Sequence, residues 1–304
     1  MEYITKIREY DYGQMQEDKK KLLAEFPFLR CSAMGKSVLG RELPVLWWGE
    51  GETRVLLCGT HHGNEWITSL LLMRFAEWLC REYQKEEKDI ISLYRRSRYA
   101  IVPMLNPDGA ELSLHGLGGA LPDAVRKNLI RANGGSDDFK GKWQANIHGV
   151  DLNHNYDAAF ERGRAFAMRM GIAGPAPTRY CGIHPESEPE SAALVQLTRE
   201  YLPSVCAAYH SQGEVIYADF EGKATKHALR IAEEMSRLSG YELDRTQGIA
   251  SCSGYKDWVI NELYLPAFTV EVGHGVNPLP LSQFDEIWEK NVDMMLLFGR
   301  CDEL

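Results

Sequence analysis

Short apolar runs alternate with stretches of helical periodicity along the whole chain, and this alternation restricts it to an α/β architecture. Segments 43–49 and 53–59 read as strands through Leu43, Val45, Leu46, Trp47 and Val55, Leu56, Leu57. Helical spacing follows over 65–83, with Ile67, Leu70, Leu71, Phe75, Trp78 and Leu79 on one stripe. Tyr99-Ala100-Ile101-Val102-Pro103-Met104 reads as a buried strand that ends in the turn residues Asn106-Pro107-Asp108-Gly109. Further strands are expected near 204–209, 214–218 and 266–272. Helices are expected over 10–26, 158–170, 187–201, 223–239, 253–263 and 284–298. The stretch 110–157, rich in Gly, Asn, Asp and His, shows little periodicity and reads as a long irregular section of the kind that carries function. Composition stays even from end to end, without repeats or a low-complexity linker, so one domain over 1–304 is expected.

Composition narrows the partners. The chain has 304 residues, 44% of them hydrophobic, enough to bury a core without disulfides. Its 34 basic and 43 acidic residues give a net charge of −9, which argues against nucleic acid or an anionic membrane as partner. The first residues, Met1-Glu2-Tyr3-Ile4-Thr5-Lys6, contain no apolar run of signal-peptide length, so a cytoplasmic location is expected. The seven cysteines are scattered and never spaced as CxxC; they read as reduced thiols, which disfavours a cysteine-built zinc cluster.

The chemistry is concentrated in a few positions. In Gly59-Thr60-His61-His62-Gly63-Asn64-Glu65-Trp66, His62 and Glu65 stand three apart between a strand and a helix, so both can aim at one point. Imidazole nitrogen and carboxylate oxygen suit Zn²⁺. The same pair also suits a plain helix start, where the dipole favours Glu65. A catalytic zinc needs a third protein ligand and an open position. The best candidate is His210, at the end of the apolar run Cys206-Ala207-Ala208-Tyr209, although a histidine there is also compatible with an ordinary core or surface role. Glu271 follows the run Ala267-Phe268-Thr269-Val270; an acid on a buried strand is either ion-paired or functional. Beside zinc it would take a proton from water and pass it to a leaving amine.

Together these segments resemble the carboxypeptidase A-like zinc metallocarboxypeptidases. The resemblance runs in order along most of the chain. It takes in Gly35-Lys36-Ser37 with Gly40-Arg41, His62 to Trp66, Asn106 to Gly109, Gly149-Val150-Asp151-Leu152-Asn153, His210-Ser211, Asp257-Trp258 and Thr269-Val270-Glu271. It implies an α/β/α sandwich with a mixed central sheet and zinc held by His62, Glu65 and His210, the two-His, one-Glu set for which carboxypeptidase A is known. It further implies Glu271 as the catalytic acid-base, with Asn153 in the substrate-binding loop.

Departures from the family pattern bear on the substrate. Where digestive members place an arginine after the loop asparagine, this chain has His154, so a bidentate carboxylate clamp is lost. Asn64 replaces the arginine of the ligand motif, and Gln144, after Trp143, stands in for the oxyanion-stabilising arginine. Ile249 falls where the mobile tyrosine belongs, with Tyr255 close by. The segments His62 to Thr68, Lys142 to Asn146 and Gly149 to Tyr156 look most like the bacterial γ-D-glutamyl-meso-diaminopimelate peptidases. That branch implies a muropeptide stem fragment as a small peptide substrate. Lys256, at the position that sets side-chain preference in the family, would pair with one of its carboxylates; a solvated helix lysine is the alternative. Competing readings are a zinc-dependent deacylase of small N-acyl amino acids and a zinc-containing binding protein without catalysis.

Overall fold

The computed structural model describes residues 3–118, 121–244 and 248–304. Eight strands form one mixed sheet: β1 (Arg30–Lys36), β2 (Glu42–Gly49), β3 (Thr53–Gly59), β4 (Ser97–Val102), β5 (Val205–Ser211), β6 (Val215–Tyr217), β7 (Glu242–Asp244) and β8 (Ala267–Val272), in the spatial order β1-β2-β4-β3-β5-β8-β6-β7. The central strands β4, β3, β5 and β8 run parallel. Antiparallel pairs flank them: β1 with β2, β2 with β4, and β6 with β8. The helices are α1 (Tyr12–Glu25), α2 (Ile67–Gln84), α3 (Lys88–Arg96), α4 (Pro107–His115), α5 (Asp123–Ala132), α6 (Phe160–Arg169), α7 (Pro189–Tyr201), α8 (Lys226–Ser239), α9 (Tyr255–Trp258) and α10 (Phe284–Phe298).

Period-two alternation along the strands divides the core between the two faces of the sheet. Val55 and Leu57 of β3 pack with α1, α2, α8 and α10, through residues such as Leu22, Leu71, Ile231 and Met294. Leu56 and Cys58, one residue out of step, pack on the other face with Leu194 and Val195 of α7 and with Tyr255 and Trp258 of α9. The result is the expected α/β/α sandwich. Central strands covered on both faces are apolar at nearly every position, which is why β3 and β5 read so plainly in the sequence. Among the described residues, no helix is long and apolar enough to cross a membrane.

Three expectations need correction. Asn106-Pro107-Asp108-Gly109 is the beginning of α4, not a free turn: the Asn106 side chain accepts the Gly109 N–H at 2.9 Å and Pro107 sits in the first turn. The stretch 110–157 is less irregular than its composition suggests. It contains α5, the end of α4 and a satellite core of Leu112, Leu129, Phe139, Trp143, Ala145 and Ile147. These short helices bury few large apolar side chains each, so no long apolar stripe marks them. The single helix expected over 253–263 is one α turn, α9, followed by a wider π turn over Val259–Leu263 that stops at Tyr264, whose φ is 57°. α3, for which no expectation was formed, buries only Ile90, Leu93 and Tyr94.

Candidate metal centre and active-site cleft

The parallel strands β3, β5 and β8 are neighbours, and the candidate residues sit at their carboxyl ends, where open α/β sheets gather their chemistry. His210 is the sixth residue of β5 and stands opposite Glu271 of β8 in the ladder. β3 ends at Gly59, and the chain then turns through Thr60 at φ 55°, a conformation β-branched residues avoid. Thr60 is held there by its N–H to Thr68 Oγ1 at 2.8 Å and its hydroxyl against Ser69 Oγ at 2.6 Å. This turn sends His61 into the core and His62 past the carboxyl end of the sheet, and a 3₁₀ turn over Gly63–Glu65 brings Glu65 round to meet it.

The structure brings His62, Glu65 and His210 together, with one ligand atom from each lying within 4.8 Å of the others. His62 Nδ1 is 2.9 Å from Glu65 Oε1, and His210 Nδ1 is 3.1 Å from Glu65 Oε2. Two imidazoles and a carboxylate meeting at one point form the nitrogen-and-oxygen donor set that zinc accepts. The far nitrogen of His62, Nε2, lies 3.1 Å from Asp151 Oδ1, the arrangement that fixes the tautomer of a ligating histidine. Asp151 is itself held by the Arg179 N–H at 2.7 Å and the Thr178 hydroxyl at 3.2 Å. The residues present fit a zinc ion.

The charges in this buried cluster act directly on one another. Burial pulls the His62 imidazole down, but Glu65 and Asp151 reverse that and hold it well above its ordinary value. Burial would raise Glu65; His62 and His210 instead bring it to about 2. His210 is lowered, chiefly by burial. Glu271 is raised well above the usual carboxylate range by burial and then by the negative charge of Glu65, with His62 opposing.

A cleft of about 380 Å³ opens beside the cluster and is lined by His62, Asn153, His154, Tyr217, Asp244, Ala250, Gly254, Lys256, Asp257, Thr269 and Glu271. Of the four substrate-side candidates, Asn153, His154 and Lys256 therefore lie in one cleft with Glu271. Gln144 is not among the lining residues: its carbonyl accepts the Gly63 N–H at 2.8 Å, so its backbone supports the ligand turn. Asn153 Oδ1 accepts the Tyr255 N–H at 3.1 Å. His154 Nδ1 faces the Cys252 carbonyl at 3.1 Å, and because a carbonyl only accepts, Nδ1 carries the hydrogen.

Lys256 is not a solvated helix lysine. It is 3% exposed, its ammonium donates to the Asp219 carbonyl at 2.6 Å, and it is ion-paired with Asp257. Tyr255 does not serve as a cleft phenol either. It is fully buried, with its hydroxyl 2.7 Å from Thr198 Oγ1, whereas the phenol lining the cleft is Tyr217. Asn64 reaches the Gly141 carbonyl at 3.4 Å, a link between loops. Sequence reasoning assigned no role to Asp151, Asn277 or Tyr217. Asp151 had a signal, as the one acid in the motif Gly149 to Asn153; the other two had none.

The comparisons with known proteins agree with this geometry. The family model described as zinc carboxypeptidase matches residues 15–294. The chain is 38% identical over 291 residues to the γ-D-glutamyl-L-diamino acid endopeptidase 1 of Lysinibacillus sphaericus, an alignment covering 94% of this chain and 71% of that one. It is 36% identical over 293 residues to an uncharacterized protein of Bacillus subtilis, covering 94% and 76%. Among solved structures, the carboxypeptidase A of Helicoverpa armigera superposes with a TM-score of 0.71 at 16% identity, over 98% of this chain and 74% of that one, and so shares the fold. Because the family match extends from α1 to α10 across every strand of the sheet, this chain belongs to the zinc carboxypeptidase family and is a zinc-dependent metallopeptidase.

Proposed function

We propose that the protein hydrolyses the γ-D-glutamyl-meso-diaminopimelate bond of peptidoglycan stem peptides, with His62, Glu65 and His210 as zinc ligands and Glu271 as acid-base. The observation that carries the substrate reading is the 38% identity to a γ-D-glutamyl-L-diamino acid endopeptidase. The cleft supports it. Lys256 lines the cleft with two of its ammonium hydrogens given to the Asp219 carbonyl and Asp257, and its third suits the carboxylate at the far end of diaminopimelate, a group that lysine lacks.

Zinc held by the three ligands supplies Lewis-acid polarisation of the scissile carbonyl, a more acidic water and a positive charge that favours ionised Glu271. Glu271, beside His210 at the end of β8, removes the proton from the attacking water and delivers it to the departing amine of the diamino acid. Asp151 keeps His62 in the tautomer that presents Nδ1 to the cluster. Asn153, whose Oδ1 is taken by the Tyr255 N–H, offers its Nδ2 as a donor to a substrate carboxylate, and His154 would add a second donor only as the imidazolium, in place of an arginine clamp.

The experiment is a substrate panel on the zinc-loaded enzyme: L-Ala-γ-D-Glu-meso-diaminopimelate, the same peptide ending in lysine, and a set of N-acyl amino acids, with products identified by mass spectrometry. Release of diaminopimelate from the first, at a higher kcat/KM than for the lysine peptide, is expected. Preferential cleavage of the acyl amino acids would reject the proposal in favour of a deacylase.

A further inference from the structure

The metal-site reading leaves one feature of Glu65 unexplained: its carboxylate has four neighbours, and only two of them are imidazoles. On Oε1 the second neighbour is the side-chain amide of Asn277, with Nδ2 at 3.2 Å. On Oε2 it is the backbone N–H of Ser211, also at 3.2 Å. Asn277 lies 212 residues away in sequence, in the segment that leaves β8 after Glu271. Its amide is fixed at both ends. Oδ1 accepts the Ser211 hydroxyl at 2.8 Å, and Nδ2 also donates to the Ser211 carbonyl. The Ser211 carbonyl, which can only accept, therefore determines that Nδ2 is the end of the amide on the Glu65 side.

The four neighbours are not equivalent. An imidazole nitrogen that ligates a metal presents its lone pair to the ion, so Nδ1 of His62 and of His210 cannot also donate to Glu65 once they bind. Two donors to Glu65 remain among the described residues, Asn277 Nδ2 and Ser211 N–H. Both are neutral, so they orient the carboxylate without adding a cation that would compete with the metal. One donor on each oxygen fixes the plane of the carboxylate and leaves the remaining lone pairs facing the two imidazoles.

We propose that Asn277 is a positioning residue of the zinc centre, orienting Glu65 through Nδ2 and tying the segment after Glu271 to the ligand-bearing end of β5. This inference rests on the reading of His62, Glu65 and His210 as the zinc ligands. Losing the amide leaves Oε1 without a neutral donor. Partners at this remove from a metal typically change its affinity by roughly 10- to 100-fold.

The test is zinc affinity, measured on metal-free protein by chelator competition, for the wild type, Asn277→Ala and Asn277→Leu, the last keeping the branched shape of the amide without its polar atoms. Both variants are expected to bind zinc at least 10-fold more weakly, with melting temperatures of the metal-free proteins close to that of the wild type. Ser211→Ala, which keeps the backbone donor, is expected to show a smaller loss, because Asn277 then loses the hydroxyl on Oδ1 but keeps the Ser211 carbonyl that orients Nδ2. Undiminished zinc affinity in whichever Asn277 variant folds overturns the proposal while leaving the ligand set standing. Failure of the wild type to bind zinc, or full affinity after His210→Ala, overturns the ligand set itself.

Discussion

His210 and Glu271 are direct partners in the ladder between the parallel strands β5 and β8, one residue before each strand ends. The proposed acid-base is thereby fixed to a proposed metal ligand by backbone hydrogen bonds instead of by a loop, and this rigidity is what a proton shuttle needs. Glu271→Gln keeps the shape and removes the basicity. It should lower kcat by about 10²–10⁴-fold while zinc content, measured by mass spectrometry of the purified protein, stays at the wild-type level. Turnover within a few-fold of wild type would remove Glu271 from the mechanism.

Lys256 and Asp257 form an ion pair in which both side chains are almost wholly buried. Removing one partner strands the other charge. Lys256→Met should therefore cost about 3 kcal/mol of unfolding free energy, read from urea denaturation. In the double variant Lys256→Met with Asp257→Asn, a large part should return, because no buried charge is left uncompensated. Equal stability of the single and double variants would show that the pair is not coupled as its geometry requires.

Glu190 lies fully buried, accepting the Val38 N–H at 3.0 Å and the Asn146 amide at 3.2 Å, and burial raises its carboxyl from 4.5 to about 7. Between those values the unfolded chain gives up this proton while the folded protein retains it, so the contribution of Glu190 to stability is complete below pH 4.5 and lost as pH rises through 7. The loss is about 3 kcal/mol at most. Glu190→Gln should accordingly gain stability relative to wild type as pH is raised from 5 to 8. A stability difference that stays flat over that range would contradict the raised value.

All seven cysteines are free, and Cys31 alone among them is not buried. Burial raises the thiols of Cys58, Cys80 and Cys206, which further suppresses the thiolate. Partial burial raises the Cys31 thiol as well, so accessibility sets it apart: a thiol reagent should modify one group in the native protein well before the others and seven after denaturation, with the first site mapping to Cys31. Rapid native labelling at a core position would mean that the sheet opens on the timescale of the reaction.

The layered fold was legible because strands covered on both faces must be apolar at nearly every position, as in β3 and β5, and because α2 carries its apolar stripe over eighteen residues. Shorter elements such as α3, α4 and α5 bury too few large apolar side chains to leave that mark, and their boundaries follow from contacts made elsewhere in the chain. The candidate groups also left marks: His62 and Glu65 stand three apart between a strand and a helix, and His210 and Glu271 are polar groups late in apolar runs. Residue type, spacing and position relative to an apolar run select such groups without knowledge of their neighbours.

What the sequence determined by itself, then, is the alternation that makes the sandwich and the set of groups able to hold zinc and move a proton. The surroundings of those groups were settled by tertiary structure alone. Lys256 is paired inside the cleft instead of solvated, Tyr255 is sealed in the core, and Asn277 reaches Glu65 across 212 residues. Local sequence encodes burial and periodicity. Which donor finally meets which acceptor depends on how segments far apart in the chain are brought together by the strand order of the sheet.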